Sequence, residues 1–166
     1  MRPMTLYFGG LVTWFGAIGI QTVLFPFLVT GQLALGPAEL GFAMMALFLP
    51  TMLLIMVGGA TADHVDGRRI LILVHFLSGL PALGILIAHL MGALTYEVLI
   101  IYALAMGVAG AFIIPARDSL LPHIADGNIQ QAVITATICQ LGAKMFGFGR
   151  AGLEPTIGIA AILLSQ

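Results

Sequence analysis

Charge is nearly absent from this chain. Only 8% of its 166 residues are Asp, Glu, Lys or Arg, whereas 60% are hydrophobic. An ordinary soluble domain carries about 25% charged residues. So few charges cannot cover a water-exposed particle, which excludes a soluble enzyme and a disordered chain. Six Lys and Arg face seven Asp and Glu, for a net charge of -1. No basic stripe is present, and no nucleic-acid partner is expected. A single cysteine, Cys139, rules out an intramolecular disulfide and reads as a small apolar residue. Catalytic signatures are missing too: no phosphate-binding loop, no nucleophile elbow and no paired carboxylates within one span. No histidine pair has metal-ligand spacing, so neither a metal nor enzymatic activity is expected.

Long apolar runs fill the sequence. They lie at about 7–29, 40–62, 70–90, 96–114 and 132–148, each near the roughly 20 residues that cross about 30 Å of hydrocarbon. A further run from about 157 stops short of a crossing and reads as the start of a sixth. The first run contains Pro26 and is too long for a signal-peptide core, so it reads as an uncleaved span. In lipid each segment must satisfy its own backbone polar groups, which predicts helices. The runs do not alternate, which argues against a transmembrane barrel. The fold class is therefore an all-α membrane protein, embedded in a lipid bilayer.

Arg2, Arg68, Arg69 and Arg117 fall on one side of this topology and Arg150 on the other. The positive-inside rule then puts the N-terminus in the cytoplasm. Twenty-one glycines would weaken helices in water but let helices approach closely in lipid. Ala103, Gly107 and Ala111 recur at four-residue spacing on one face of the fourth span. Pro26, Pro50 and Pro81 lie inside spans and favour kinks. Such helices serve tight packing and also rocking of one element against another.

Several polar residues are candidates for function. Gly58-Gly59-Ala60-Thr61-Ala62-Asp63-His64-Val65-Asp66-Gly67-Arg68-Arg69 joins the second and third spans. Asp63 sits at a helix C-terminus, where the macrodipole disfavours a carboxylate, so it needs a positive partner. Arg68 and Arg69 are within reach of Asp118. The stretch either only fixes orientation or forms a charged lock that breaks as helices move. Lys144 lies inside the fifth span, where a lysine costs about 2.5–3.5 kcal/mol to insert. Thr137, Gln140 and Lys144 share one helix face, which suits a cavity lining; snorkelling to the interface is the competing reading. Gln21 either hydrogen-bonds between helices or faces a substrate path. His75 and His89 lie within about 40° on one face of the third span. Trp14, Tyr96 and Tyr7 are consistent with anchoring at the membrane interface.

The stretch from Gly59 to Arg69 resembles the loop 2–3 signature of the major facilitator superfamily. Asp63 has the signature spacing from Gly59, while His64, Asp66 and Gly67 depart from it. It is closer to the variant of the enterobactin-exporter-like branch of drug and siderophore exporters, with departures only at His64 and Gly67. Pro115-Ala116-Arg117-Asp118-Ser119-Leu120-Leu121-Pro122 is similar to a second stretch of the same branch. Phe148 stands where antiporter branches carry a proline, so drug/proton antiport is not implied. The resemblance implies a secondary transporter of a bacterial inner membrane, exporting small organic molecules by alternating access. It uses no cofactor and no ATP directly, and gradient coupling to a proton or ion is the usual pattern. Asp63, Arg68, Arg69 and Asp118 would be the lock, and Gln21, Gln140 and Lys144 would line the path. The chain would be the truncated N-terminal five to six helices of a twelve-helix bundle, needing a C-terminal half for transport. The rivals are a truncated, non-transporting membrane protein and a lysophospholipid-flipping relative linked to an acyltransferase.

Overall fold

In a computed structural model of the chain, residues 2–125, 128–152 and 159–163 are described. Helices account for nearly all of them, and no strand occurs among the described residues. α1 spans Arg2–Phe27 and continues into a π-helical turn at Leu28–Gln32. α2 covers Pro37–His64, α3 Gly67–Leu90, α4 Tyr96–Ile124 and α5 Ile129–Ala151. A short α6 at Ile159–Leu163 follows. Five of these helices are long and apolar enough to cross a membrane. Large apolar side chains such as Phe48, Met52, Met56 and Phe76 are exposed, as hydrocarbon requires rather than forbids.

The chain divides into two compact units, one of residues 26–120 and one joining the residues up to Phe25 with those from Leu121 onward. Within the first unit, α2 and α4 run side by side in the same direction. Gly107 lies against the Leu47 carbonyl, Gly110 against Thr51, and Gly58 against the Ala111 carbonyl. The Thr51 hydroxyl donates to the Gly107 carbonyl at 2.7 Å, adding an interhelical hydrogen bond. Ala103, Gly107 and Ala111 are buried on this seam. Pro115 has no N–H to give the Ala111 carbonyl four residues back. That oxygen instead occupies the space a side chain at position 58 would need.

The connections are short because caps end the helices cleanly. The Asp66 side chain accepts from the Arg68 N–H at 3.0 Å and caps α3. At the other end of α3, Ala93 N–H donates to the Ala88 carbonyl and Gly92 N–H to that of His89, closing a Schellman motif. Gly92 takes the left-handed φ of 65° that this motif asks of its residue beyond the cap. At this same end of the unit, the Gln32 amide donates to His89 Nδ1 at 2.9 Å. The Tyr96 hydroxyl donates to the Glu39 carbonyl at 2.8 Å, tying α4 to α2.

In the second unit, α1 and α5 also lie side by side and run in the same direction. Gly16 faces Ala143, Gly19 faces Lys144 and Gly147, and Gly147 faces Gly16 and Ile20. On α5, Ala132, Ala136, Ala143, Gly147 and Ala151 form the buried stripe. Trp14 is buried at 7% exposure, mid-helix in α1, so it serves packing rather than interfacial anchoring.

These seams make a paired prediction. Gly58→Ala forces a methyl group onto the Ala111 carbonyl, whereas the space beside Gly59 is open. Thermal melting of the purified protein in detergent should show Gly58→Ala losing about 1–3 kcal/mol by overpacking. Gly59→Ala should be neutral or stabilise by up to about 1 kcal/mol through helix propensity.

Candidate functional site

Two clusters hold the polar residues. The first is built where α2 turns into α3. α2 ends at His64, Val65 N–H closes its last turn on the Thr61 carbonyl at 2.9 Å, and α3 begins at Gly67. Asp63, His64, Asp66, Arg68 and Arg69 are all exposed on this turn. Asp66 is engaged as the N-cap, which leaves Asp63 as the carboxylate of the turn with no capping duty.

The turn is pressed against the last turns of α4 through Gly67. A Cβ at Gly67 would stand 2.9 Å from the Ala116 carbonyl, 3.0 Å from Leu120 Cγ and 3.2 Å from the Ser119 hydroxyl. The loop 2–3 stretch and the Pro115–Leu120 stretch therefore meet directly. The expected end of the fourth span at 114 is not a helix end. α4 carries on through Pro115, Arg117, Asp118 and Pro122 to Ile124, so this stretch is helical rather than a loop. Proline removes one hydrogen bond, and the contact of α4 with Gly67 compensates by holding the following turn in place.

Asp118 is held by its own neighbour. Arg117 Nη2 and Nε donate to Asp118 Oδ1 at 2.6 and 2.8 Å. The expected pairing of Arg68 or Arg69 with Asp118 is not made in this conformation. Arg68 and Arg69 project from the start of α3 into the open. The surface ion pair on α4 is worth about 0–1 kcal/mol, so it is readily exchanged.

The second cluster surrounds Lys144. The Lys144 Nζ stands 5.8 Å from the centre of the Phe15 ring, within the roughly 6 Å of a cation–π contact. Gln140, one turn earlier on the same face, is half-buried, as is Lys144. Thr137 is exposed and its hydroxyl donates to the Val133 carbonyl at 2.9 Å, so it is turned back on its own helix. Gln21 is buried at 7% exposure, and its Nε2 makes no hydrogen bond among the described residues. It lies six residues beyond Phe15, about 120° around α1, so it does not share the flank that Lys144 faces.

His75 Nδ1 donates to the Leu71 carbonyl at 2.8 Å, and His89 is bonded to Gln32. Among the described residues no group of His, Cys, Asp or Glu could hold a metal ion. Phe15 and Gly67 were not expected as site residues. The Gly16 and Gly19 pair, with Phe15 one turn before Gly19, was the available signal for the first. Nothing local marked the second, because its reason is a contact with α4.

Comparison with known proteins gives a consistent picture. The profile of a family described as transmembrane secretion effector matches residues 4–152. An uncharacterised MFS-type transporter of Salmonella typhimurium is 36% identical over 100 residues, which cover 58% of this chain and 26% of that relative. The chain thus matches about a quarter of the relative's length. No solved structure matches it.

The Gly67 contact generates a test. The signature carries a basic residue at this place, but Gly67→Arg should not act as a restoration here. It should lower stability by about 1–3 kcal/mol, because the new side chain must displace the α4 backbone. Arg68→Gly, at an exposed position, should leave the thermal melting of the protein nearly unchanged.

Proposed function

The chain belongs to the transmembrane secretion effector family of MFS-type transporters, and from this we propose that it forms helices one to five of a secondary transporter that exports small organic molecules across a bacterial inner membrane. The match over residues 4–152, together with five helices of membrane-crossing length, carries this reading. The relative of this type from Salmonella typhimurium supports the bacterial setting. Positive-inside asymmetry supports a cytoplasmic N-terminus, with the α2–α3 turn on the same side.

Alternating access gives each polar cluster a role. Rocking of one helical element against another requires contacts that are firm in one state and replaceable in the next. The α2–α3 turn offers such a contact. Gly67 seats it on α4 at Ala116, Ser119 and Leu120; the turn carries the exposed Asp63, Arg68 and Arg69, and the same stretch of α4 carries the weak Arg117–Asp118 pair. Exchange of Asp118 from Arg117 to Arg68 or Arg69, with Asp63 as the second carboxylate that draws on those arginines, is the lock step of the proposal. Lys144 and Gln140 line the path on the flank of α5, with Gln21 contributing from a different face of α1. The remaining helices of the transporter complete the cavity, and a proton or ion gradient drives export.

The lock is tested with Asp63→Asn in the complete transporter. Insertion, read by membrane fractionation, should be unchanged. The transport rate in sealed vesicles should fall about tenfold, the effect of roughly 1.4 kcal/mol on the gating barrier. Transport at the parent rate would remove Asp63 from the gate.

A further inference from the structure

Lys144 is the one lysine of the sequence, and its place in α5 is costly. It lies seven residues before the end of the helix at Ala151, hence about 10 Å from that end of a helix about 34 Å long. The short way to water is toward Arg150, and a snorkelling lysine would take it. The Phe15 ring stands beside the ammonium instead. Helical side chains lean toward the N-terminus of their own helix. The ammonium accordingly reaches Phe15, which precedes the Gly16–Ala143 contact in two helices that run in the same direction.

Nothing on either helix neutralises this charge. α1 and α5 contain no Asp or Glu, and among the described residues no carboxylate lies within 4 Å of Lys144. The Phe15 ring supplies only its quadrupole. Gln140 adds an amide one turn away, able to donate or accept. A half-buried cation with an aromatic face, a neighbouring amide and no counter-charge among the described residues is complementary to an anion with an apolar body.

We propose that Lys144, Gln140 and Phe15 form the recognition site for a small organic carboxylate, the substrate class of the transport path. This rests on the reading that the flank of α5 lines that path. Lys144 binds the carboxylate, Gln140 orients it and the Phe15 ring packs against the apolar body.

The test reads local charge rather than transport. A Gln140→Cys, Cys139→Ala variant in phosphatidylcholine vesicles, which hold no anionic lipid, is treated with two thiosulfonate reagents, one sulfonate-bearing and one trimethylammonium-bearing. The ratio of their rates should favour the anionic reagent by at least about tenfold relative to the same protein carrying Lys144→Gln, as expected for a unit charge about 6 Å away in water-like surroundings. Lys144→Arg, which keeps the charge, should keep the preference, and a correctly inserted Arg variant guards against a folding artefact in the Gln variant. Benzoate, which Lys144 and Phe15 still hold in this variant, should slow labelling and benzyltrimethylammonium should not. Labelling with a rate ratio indifferent to Lys144→Gln would overturn the carboxylate site while leaving the path in place. No labelling by either reagent would show Gln140 closed to water and overturn the path reading itself.

Discussion

Glycine set against a carbonyl oxygen of the neighbouring helix is the contact on which this structure depends. Gly58 meets Ala111, Gly107 meets Leu47, Gly67 meets Ala116, Gly19 meets Lys144 and Gly147 meets Gly16. In each, a backbone carbonyl takes the volume of a side chain. In lipid, apolar surface gives helices no preference for one another over the solvent. Close backbone approach, with dispersion and weak Cα–H···O contacts, supplies what apolar burial supplies in water. The few interhelical hydrogen bonds, such as Thr51 to Gly107, add specificity to seams that glycine has already made possible.

The same contacts position both candidate clusters. Gly67 joins the charged turn to α4, and it does so with the backbone, so the side chains of Asp63, Arg68 and Arg69 stay exposed, as the proposed exchange requires. Gly19 and Gly147 bring α1 so near α5 that the Lys144 side chain meets the edge of its neighbour and finds Phe15 there. A firm scaffold and a replaceable set of charges are the two properties an alternating-access device needs in one place.

Much of this was legible in the sequence. The five membrane-length helices, the short charged turn and the Ala103-Gly107-Ala111 seam follow from apolar run length and small-residue spacing. What escaped was whatever depends on a second helix. Gly59 has the signature spacing, yet Gly58 carries the steric constraint, because helix rotation decides which of two adjacent glycines faces α4. Pro115 suggested a helix end, yet α4 continues, since one lost hydrogen bond is affordable when Gly67 supports the next turn. Gln21 and Lys144 look alike as polar residues in apolar runs, and only the α1–α5 crossing separates their faces. Asp118 was expected to pair across helices, and the adjacent Arg117 reached it first.

α1 and α5 meet backbone to backbone and in parallel at Gly16, Gly19 and Gly147. Oxidative cross-linking of a Gly16→Cys, Ala143→Cys pair in a Cys139→Ala chain held in membranes, with loss of free thiols read by mass spectrometry, probes this crossing. The first pair should form an intramolecular disulfide rapidly, and Gly16→Cys with Leu141→Cys, whose position is exposed on α5, should form none. Two free thiols in the first pair, or equal cross-linking of both pairs, would contradict it.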